Sequence, residues 1–113
     1  MMFLHYRNYD IKGKTMKHFI IIIHYIESVD RINEIRPRHR EFLEKGYTEG
    51  IVLFSGPQVP RTGGLIAARG NTAEDVKKFF NDDPYQTEKA AEYRFIEFEP
   101  VHYQKFMEEW ISD

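Results

Sequence analysis

The sequence predicts one α+β domain, a βαββαβ sandwich in which a four-stranded sheet carries two helices on one face. Three observations predict it. An Ile-, Phe- and Tyr-rich run is followed by a long segment with helical spacing. Two short apolar runs are then separated by a Pro- and Gly-rich stretch. A second helical segment finally gives way to a run that alternates with period two. At 113 residues there is room for one modest core and no second domain.

The elements follow in order. His18 to Ile26 is nearly continuously apolar, as expected of a central strand buried on both faces. Asp30 can cap the first helix, whose stripe is Ile32, Ile35, His39, Phe42 and Leu43. Pro37 lies inside this segment and predicts a kink or a late helix start. Gly46 is the expected C-terminal stop. Ile51 to Phe54 reads as the second strand and Leu65 to Ala68 as the third, with Ser55 to Gly64 as a hairpin-type loop. Thr72, with Asp75 three residues on, opens a second helix whose apolar face is Val76, Phe79 and Phe80. Asp82, Asp83 and Pro84 break it, and Tyr85 to Ala91 can add a further helical turn. In the fourth strand Tyr93, Phe95 and Glu97 alternate with Arg94, Ile96 and Phe98. Tyr103 to Ile111 can close the chain as an amphipathic helix through Phe106, Met107 and Trp110.

Residues 1–15 are polar and precede a second start-like sequence, Met16-Lys17-His18-Phe19. They are expected to be a poorly ordered N-terminal extension, against an added edge strand through Phe3, Leu4 and Tyr6, and residues 16–113 a single domain.

Composition narrows the function classes. The net charge of -2 carries no basic excess that would mark a nucleic-acid partner. There is no cysteine, so disulfides, thiol catalysis and thiolate zinc sites are excluded. No run approaches the roughly 20 apolar residues of a membrane span, and Met1 to Leu4 is broken at once by His5, Arg7 and Asp10. A cytoplasmic protein with no membrane partner is expected. The predicted sheet has helices on one face only, and its other face needs a cover. A second copy of the chain is the expected one.

His39 is the most pointed residue. It falls on the apolar stripe of the first helix, where a histidine is more often a hydrogen-bonded core residue than a catalyst. An imidazole titrates near neutral pH, so the same position suits a general acid or base if a carboxylate orients it. Asp83 is the candidate carboxylate, although Asp-Asp-Pro is also an ordinary helix stop. Arg36, one turn before His39, suits a substrate carboxylate or a plain ion pair. Ser55 lacks a neighbouring activator and reads first as a strand-end residue. His24 either faces the cleft of His39 or ends a buried strand at its rim. No His-x-x-x-His spacing supports a metal, and no phosphate-loop or dinucleotide pattern is present, so neither metal nor cofactor is expected.

Arg36-Pro37-Arg38-His39-Arg40-Glu41-Phe42-Leu43, then Gly46, Ser55-Gly56-Pro57, Gly63-Gly64 and Asp82-Asp83-Pro84-Tyr85, occur in an order that resembles the YciI-like family over residues 17 to about 100. The resemblance implies a ferredoxin-like fold with an antiparallel sheet, assembled as a dimeric α/β barrel. It implies a His–Asp pair at His39 and Asp83, with Ser55, Gly56 and Pro57 beside the cleft. Some relatives of that superfamily dehalogenate or isomerise ring-shaped metabolites. Three functions are therefore weighed. A small acid–base enzyme would use His39, Asp83 and Arg36. A ligand-binding or accessory domain would use the same cleft without turnover. An iron- or oxygen-dependent oxygenase would rest on analogy of fold alone.

Overall fold

The computed structural model describes residues 16–112. The expectation for residues 1–15 lies outside them. The elements are β1 (Lys17–Tyr25), α1 (Val29–Thr48), β2 (Val52–Pro57), β3 (Gly63–Gly70), α2 (Ala73–Phe80), a one-turn α3 (Pro84–Thr87), β4 (Ala91–Phe98), a 3-10 turn (Lys105–Met107) and α4 (Glu108–Ser112). The four strands form one sheet in the order β2-β3-β1-β4. Every pairing in it is antiparallel. This is the expected βαββαβ arrangement, with β1 central between β3 and β4.

Side chains alternate along a strand, and this divides the sheet into two unlike faces. Phe19, Ile21 and Ile23 of β1 point to the helices and are buried with Ile66 and Ala68 of β3. On α1, Ile32, Ile35, His39, Leu43 and Gly46 are the buried positions, which is helical spacing facing that layer. Rings complete the core. Phe42 lies 4.8 Å from Phe79 and 5.9 Å from Phe80, and Phe80 lies 6.2 Å from Phe95. These contacts set α1 beside α2 and over β4. Each fully buried side chain of this size contributes about 1.5–3 kcal/mol.

Three local expectations are corrected. The cap of α1 is Ser28, whose side chain accepts from the Arg31 amide, while Asp30 sits in the first turn. The helix runs unbroken through Pro37. Proline removes the hydrogen bond to the carbonyl four residues back, here on Asn33, and both residues are exposed, so water can take that carbonyl. Buried residues on either side of Pro37 hold the helix to the sheet. Gly46 is not the stop. It is buried inside the helix, where a Cβ would lie 2.7 Å from Val52 Cγ2, and close packing of α1 on β2 explains it. The chain leaves the helix at Gly50, whose φ of +76° is the left-handed conformation glycine adopts readily.

The expected terminal helix is shorter than its pattern. Phe106 is 85% exposed, and the segment touches the sheet through Trp110, which packs 5.2 Å from His18. The Arg69 guanidinium donates to the Trp110 carbonyl at 2.7 Å. The chain end thus covers one end of the sheet face opposite the helices. The rest of that face holds Ile20, Ile22, Leu65 and Ile96, all half-buried, and the exposed Phe54.

Candidate active site

His39 and Asp83, 44 residues apart in sequence, meet where α1 passes the turn between α2 and α3. Pro84 at the first position of α3 has no amide hydrogen to satisfy, so the residue before it is free to act as cap. That residue is Asp83, which is fully buried. One oxygen, Oδ1, accepts from the Tyr85 amide at 3.1 Å. The other, Oδ2, accepts from the Tyr93 hydroxyl of β4. His39 Nδ1 lies 2.9 Å from both oxygens.

A carboxylate can only accept, so His39 Nδ1 carries the hydrogen and donates it. The neutral ring then has its lone pair on Nε2. No partner for Nε2 occurs among the described residues, and His39 borders a cleft of about 240 Å³. Tyr85 stacks on the imidazole at 4.1 Å with 23° between the planes, which fixes the ring's second degree of freedom. Burial, and then the adjacent Asp83 carboxylate, push the Tyr93 hydroxyl far above its ordinary range, so it remains a donor. Burial raises the Tyr85 hydroxyl too, helped by Tyr25 and opposed by Arg36 beside it.

The other predicted residues divide. Arg36, Ser55, Gly56 and Pro57 all line the cleft with His39. The Ser55 hydroxyl is 2.7 Å from the Tyr47 hydroxyl, a partner with no basic group to activate it. Gly56 opens the wall, since a Cβ there would meet nothing within 4 Å. His24 does not line this cleft. It borders a neighbouring cavity at the end of β1. Among the described residues no group of three or more His, Cys, Asp or Glu side chains could hold a metal ion.

Sequence reasoning passed over three residues of this site. The sequence marks Tyr93 only as one position of an alternating strand. It marks Tyr85 only as the start of a helical turn and the end of a motif. Arg61 lies in the loop after β2 and reaches the cleft as well. Its signal was a charged residue within a Pro- and Gly-rich loop.

Residues 16–99 match the YCII-related domain. The chain belongs to the YCII-related family. The stretches Arg36 to Leu43 and Asp82 to Tyr85, which carry His39 and Asp83, lie within the matched residues. Among solved structures, this YCII-related chain is similar in fold to 5-chloro-2-hydroxyhydroquinone dehydrochlorinase (TftG) from Burkholderia phenoliruptrix AC1100 in complex with 2,5-dihydroxybenzoquinone. The TM-score is 0.59 at 15% identity, over 77% of this chain and 93% of the other. No curated protein matches the sequence. The ferredoxin-like α+β fold is shared, as the sequence predicted. No helix among the described residues is long and apolar enough to cross a membrane.

Proposed function

We propose that this YCII-related protein is a small acid–base enzyme that acts on a small, cyclic or carboxylated metabolite by proton transfer, in a lyase, isomerase or dehalogenase reaction. One observation carries the reading: a buried carboxylate, held by two further donors, fixes His39 Nδ1 and leaves Nε2 toward a cleft. His39 Nε2 takes a proton from a substrate carbon or hydroxyl next to a carbonyl. The freed electron pair forms a double bond. In the elimination case, the bond to a leaving group such as halide breaks. The imidazolium is stabilised by Asp83 and returns the proton, to another substrate atom in an isomerisation or to water in an elimination. Such a placed base contributes about 10²–10⁴-fold in rate, and this step asks for no group beyond the chain's own residues. The cleft of about 240 Å³ lies below the roughly 300–1,000 Å³ of sites for drug-sized ligands, which favours a small substrate. That the similar fold belongs to a named dehydrochlorinase supports a reaction of this class.

A second reading has its own observation. Asp83 also caps α3 and holds β4 through Tyr93, so the pair can serve as a structural tie in a ligand-binding domain without turnover. We propose also that the open sheet face is covered by a second copy of the chain, because its half-buried isoleucines and exposed Phe54 are costly to leave in water.

The test combines imidazole ¹⁵N NMR with a substrate screen. In the wild type the His39 ring should be in the Nδ1–H tautomer, and Asp83→Asn should lose that preference. A screen of halogenated hydroquinones, lactones and small cyclic acids should find turnover that Asp83→Asn lowers by about 10²–10⁴-fold. If His39→Gln lowers stability but leaves any turnover intact, the enzyme reading fails and the structural one stands.

A further inference from the structure

The arginines of α1 are not alike. Arg31 Nη2 donates to Glu88 Oε1 at 2.7 Å, and Arg38 also pairs with Glu88. Its two guanidinium partners hold the Glu88 carboxyl below its usual range, the Arg38 hydrogen bond first. These two cations are matched, and they tie α1 to the end of α3. Arg36, Arg40 and Arg61, which all line the His39 cleft, have no acidic partner among the described residues. Arg36 donates to the Asn33 side chain and lies beside Tyr85.

Arg61 sits on a loop whose backbone is pinned. The Tyr25 amide donates to the Thr62 carbonyl at 3.0 Å, the Thr62 amide to the Pro60 carbonyl at 2.8 Å, and the Gln58 amide to the Gly63 carbonyl at 2.8 Å. A Cβ at Gly63 would collide with the Ile23 carbonyl oxygen, so glycine is what lets this loop close against the end of β1. The guanidinium therefore starts from a fixed point.

Beside the His39 cleft lies a larger cavity of about 480 Å³, bordered by His24, Tyr25, Glu27, Val29, Ile32 and Thr62. Arg36 and Arg61 are the two side chains that line both spaces. We infer that Arg36 and Arg61 form a clamp for the carboxylate of the ligand at the junction of two chambers. The reacting part then points to His39, and any extension of the molecule lies in the larger chamber against Tyr25, Val29 and Ile32. Guanidinium groups suit this task because each can present two parallel N–H donors to one carboxylate. The clamp rests on the reading of the His39 cleft as the substrate site, and it makes Arg61 a specificity-determining residue.

The probes are benzoate, benzamide as its uncharged counterpart, and 3-phenylpropionate as a longer acid. Each is titrated into the ¹⁵N-labelled full chain and followed by backbone amide shifts. Benzoate should move His39 and Thr62 saturably, and 3-phenylpropionate should move Val29 and Ile32 as well. Arg61→Gln and Arg36→Gln should each weaken benzoate by about tenfold or more, which is about 1.4 kcal/mol. Arg38→Gln, whose guanidinium is taken up by Glu88, should not. Benzamide should bind at least as weakly as benzoate binds the clamp variants. The clamp is overturned if Arg61→Gln binds benzoate as the wild type does, if benzamide binds equally well, or if neither acid gives a saturable shift. His39→Gln separates this inference from the enzyme reading. Arginine-dependent benzoate binding that survives in His39→Gln, with turnover unaffected by that change, leaves the clamp standing and the enzyme reading fallen. Turnover that needs His39 but is indifferent to Arg61 does the reverse.

Discussion

Asp83 has three donors and no exposure, so every one of its contacts is felt. The Tyr93 hydroxyl supplies one of them, and Tyr93 does not line the cleft. Tyr93→Phe should therefore act through Asp83. Losing one hydrogen bond to a charged group should cost about 1.5–3 kcal/mol in urea unfolding. The His39 Nδ1–H tautomer should persist, because both carboxylate oxygens still lie 2.9 Å from Nδ1. Loss of the tautomer, or stability unchanged within about 0.5 kcal/mol, would contradict this account. His39 and Asp83 were legible in the sequence for local reasons: an ionisable residue interrupts an apolar stripe, and an acid precedes a proline. Tyr93 had no such signal. Its hydroxyl matters only because β4 runs beside β1 and beneath the turn that holds Asp83.

At the scale of elements, the chain end is held to the sheet by a titratable contact. His18 is buried against Trp110, and its Nε2 has no hydrogen-bond partner. Burial lowers its pKa below the ordinary 6.5, and nearby Arg69 pushes the same way, against the raising effect of the Trp110 and Ile111 backbone. The sign follows from linkage. The unfolded chain binds the proton more readily than the folded one. The contribution of His18 is therefore fully present above about pH 6.5 and is lost as pH falls through its lowered folded value. Trp110 is the single tryptophan of the sequence, so its fluorescence reports this contact directly. Acidification should shift its emission before global unfolding, and His18→Phe should remove that step. An unchanged step in His18→Phe would assign it to other groups. The terminal helix was visible in the sequence through Trp110 and Met107, but its anchoring was not. A side-chain pattern cannot say that residue 110 will lie over residue 18.

For the whole molecule, the two sheet faces are unequal. One is closed by α1 and α2. Among the described residues the other is covered only near His18, and Ile20, Ile22, Leu65 and Ile96 are half-buried in a single chain. If a second copy closes this face, Ile22→Glu should place a charge at its centre and shift sedimentation from dimer to monomer, with the far-ultraviolet circular dichroism preserved. A wild-type chain that sediments as a monomer would remove the proposal.

The order of elements is written in the sequence through short-range periodicity and turn residues, while the antiparallel sheet and the pairing of His39 with Asp83 were implied there by the resemblance of short motifs to a family. The sequence misplaced the end of α1, because a glycine that ends a helix and a glycine that lets a strand approach look the same in one dimension. Gly46 is the second kind, set by Val52 across the layer. Only the tertiary structure decided what lies around the pair. Tyr93, Tyr85 and Arg61 come from a strand, a one-turn helix and a loop, and chain crossings bring Tyr93 to Asp83 and bring Tyr85 and Arg61 to the cleft. Hydrogen bonds and charges act over a few ångströms, and those distances exist only after the sheet has set its register.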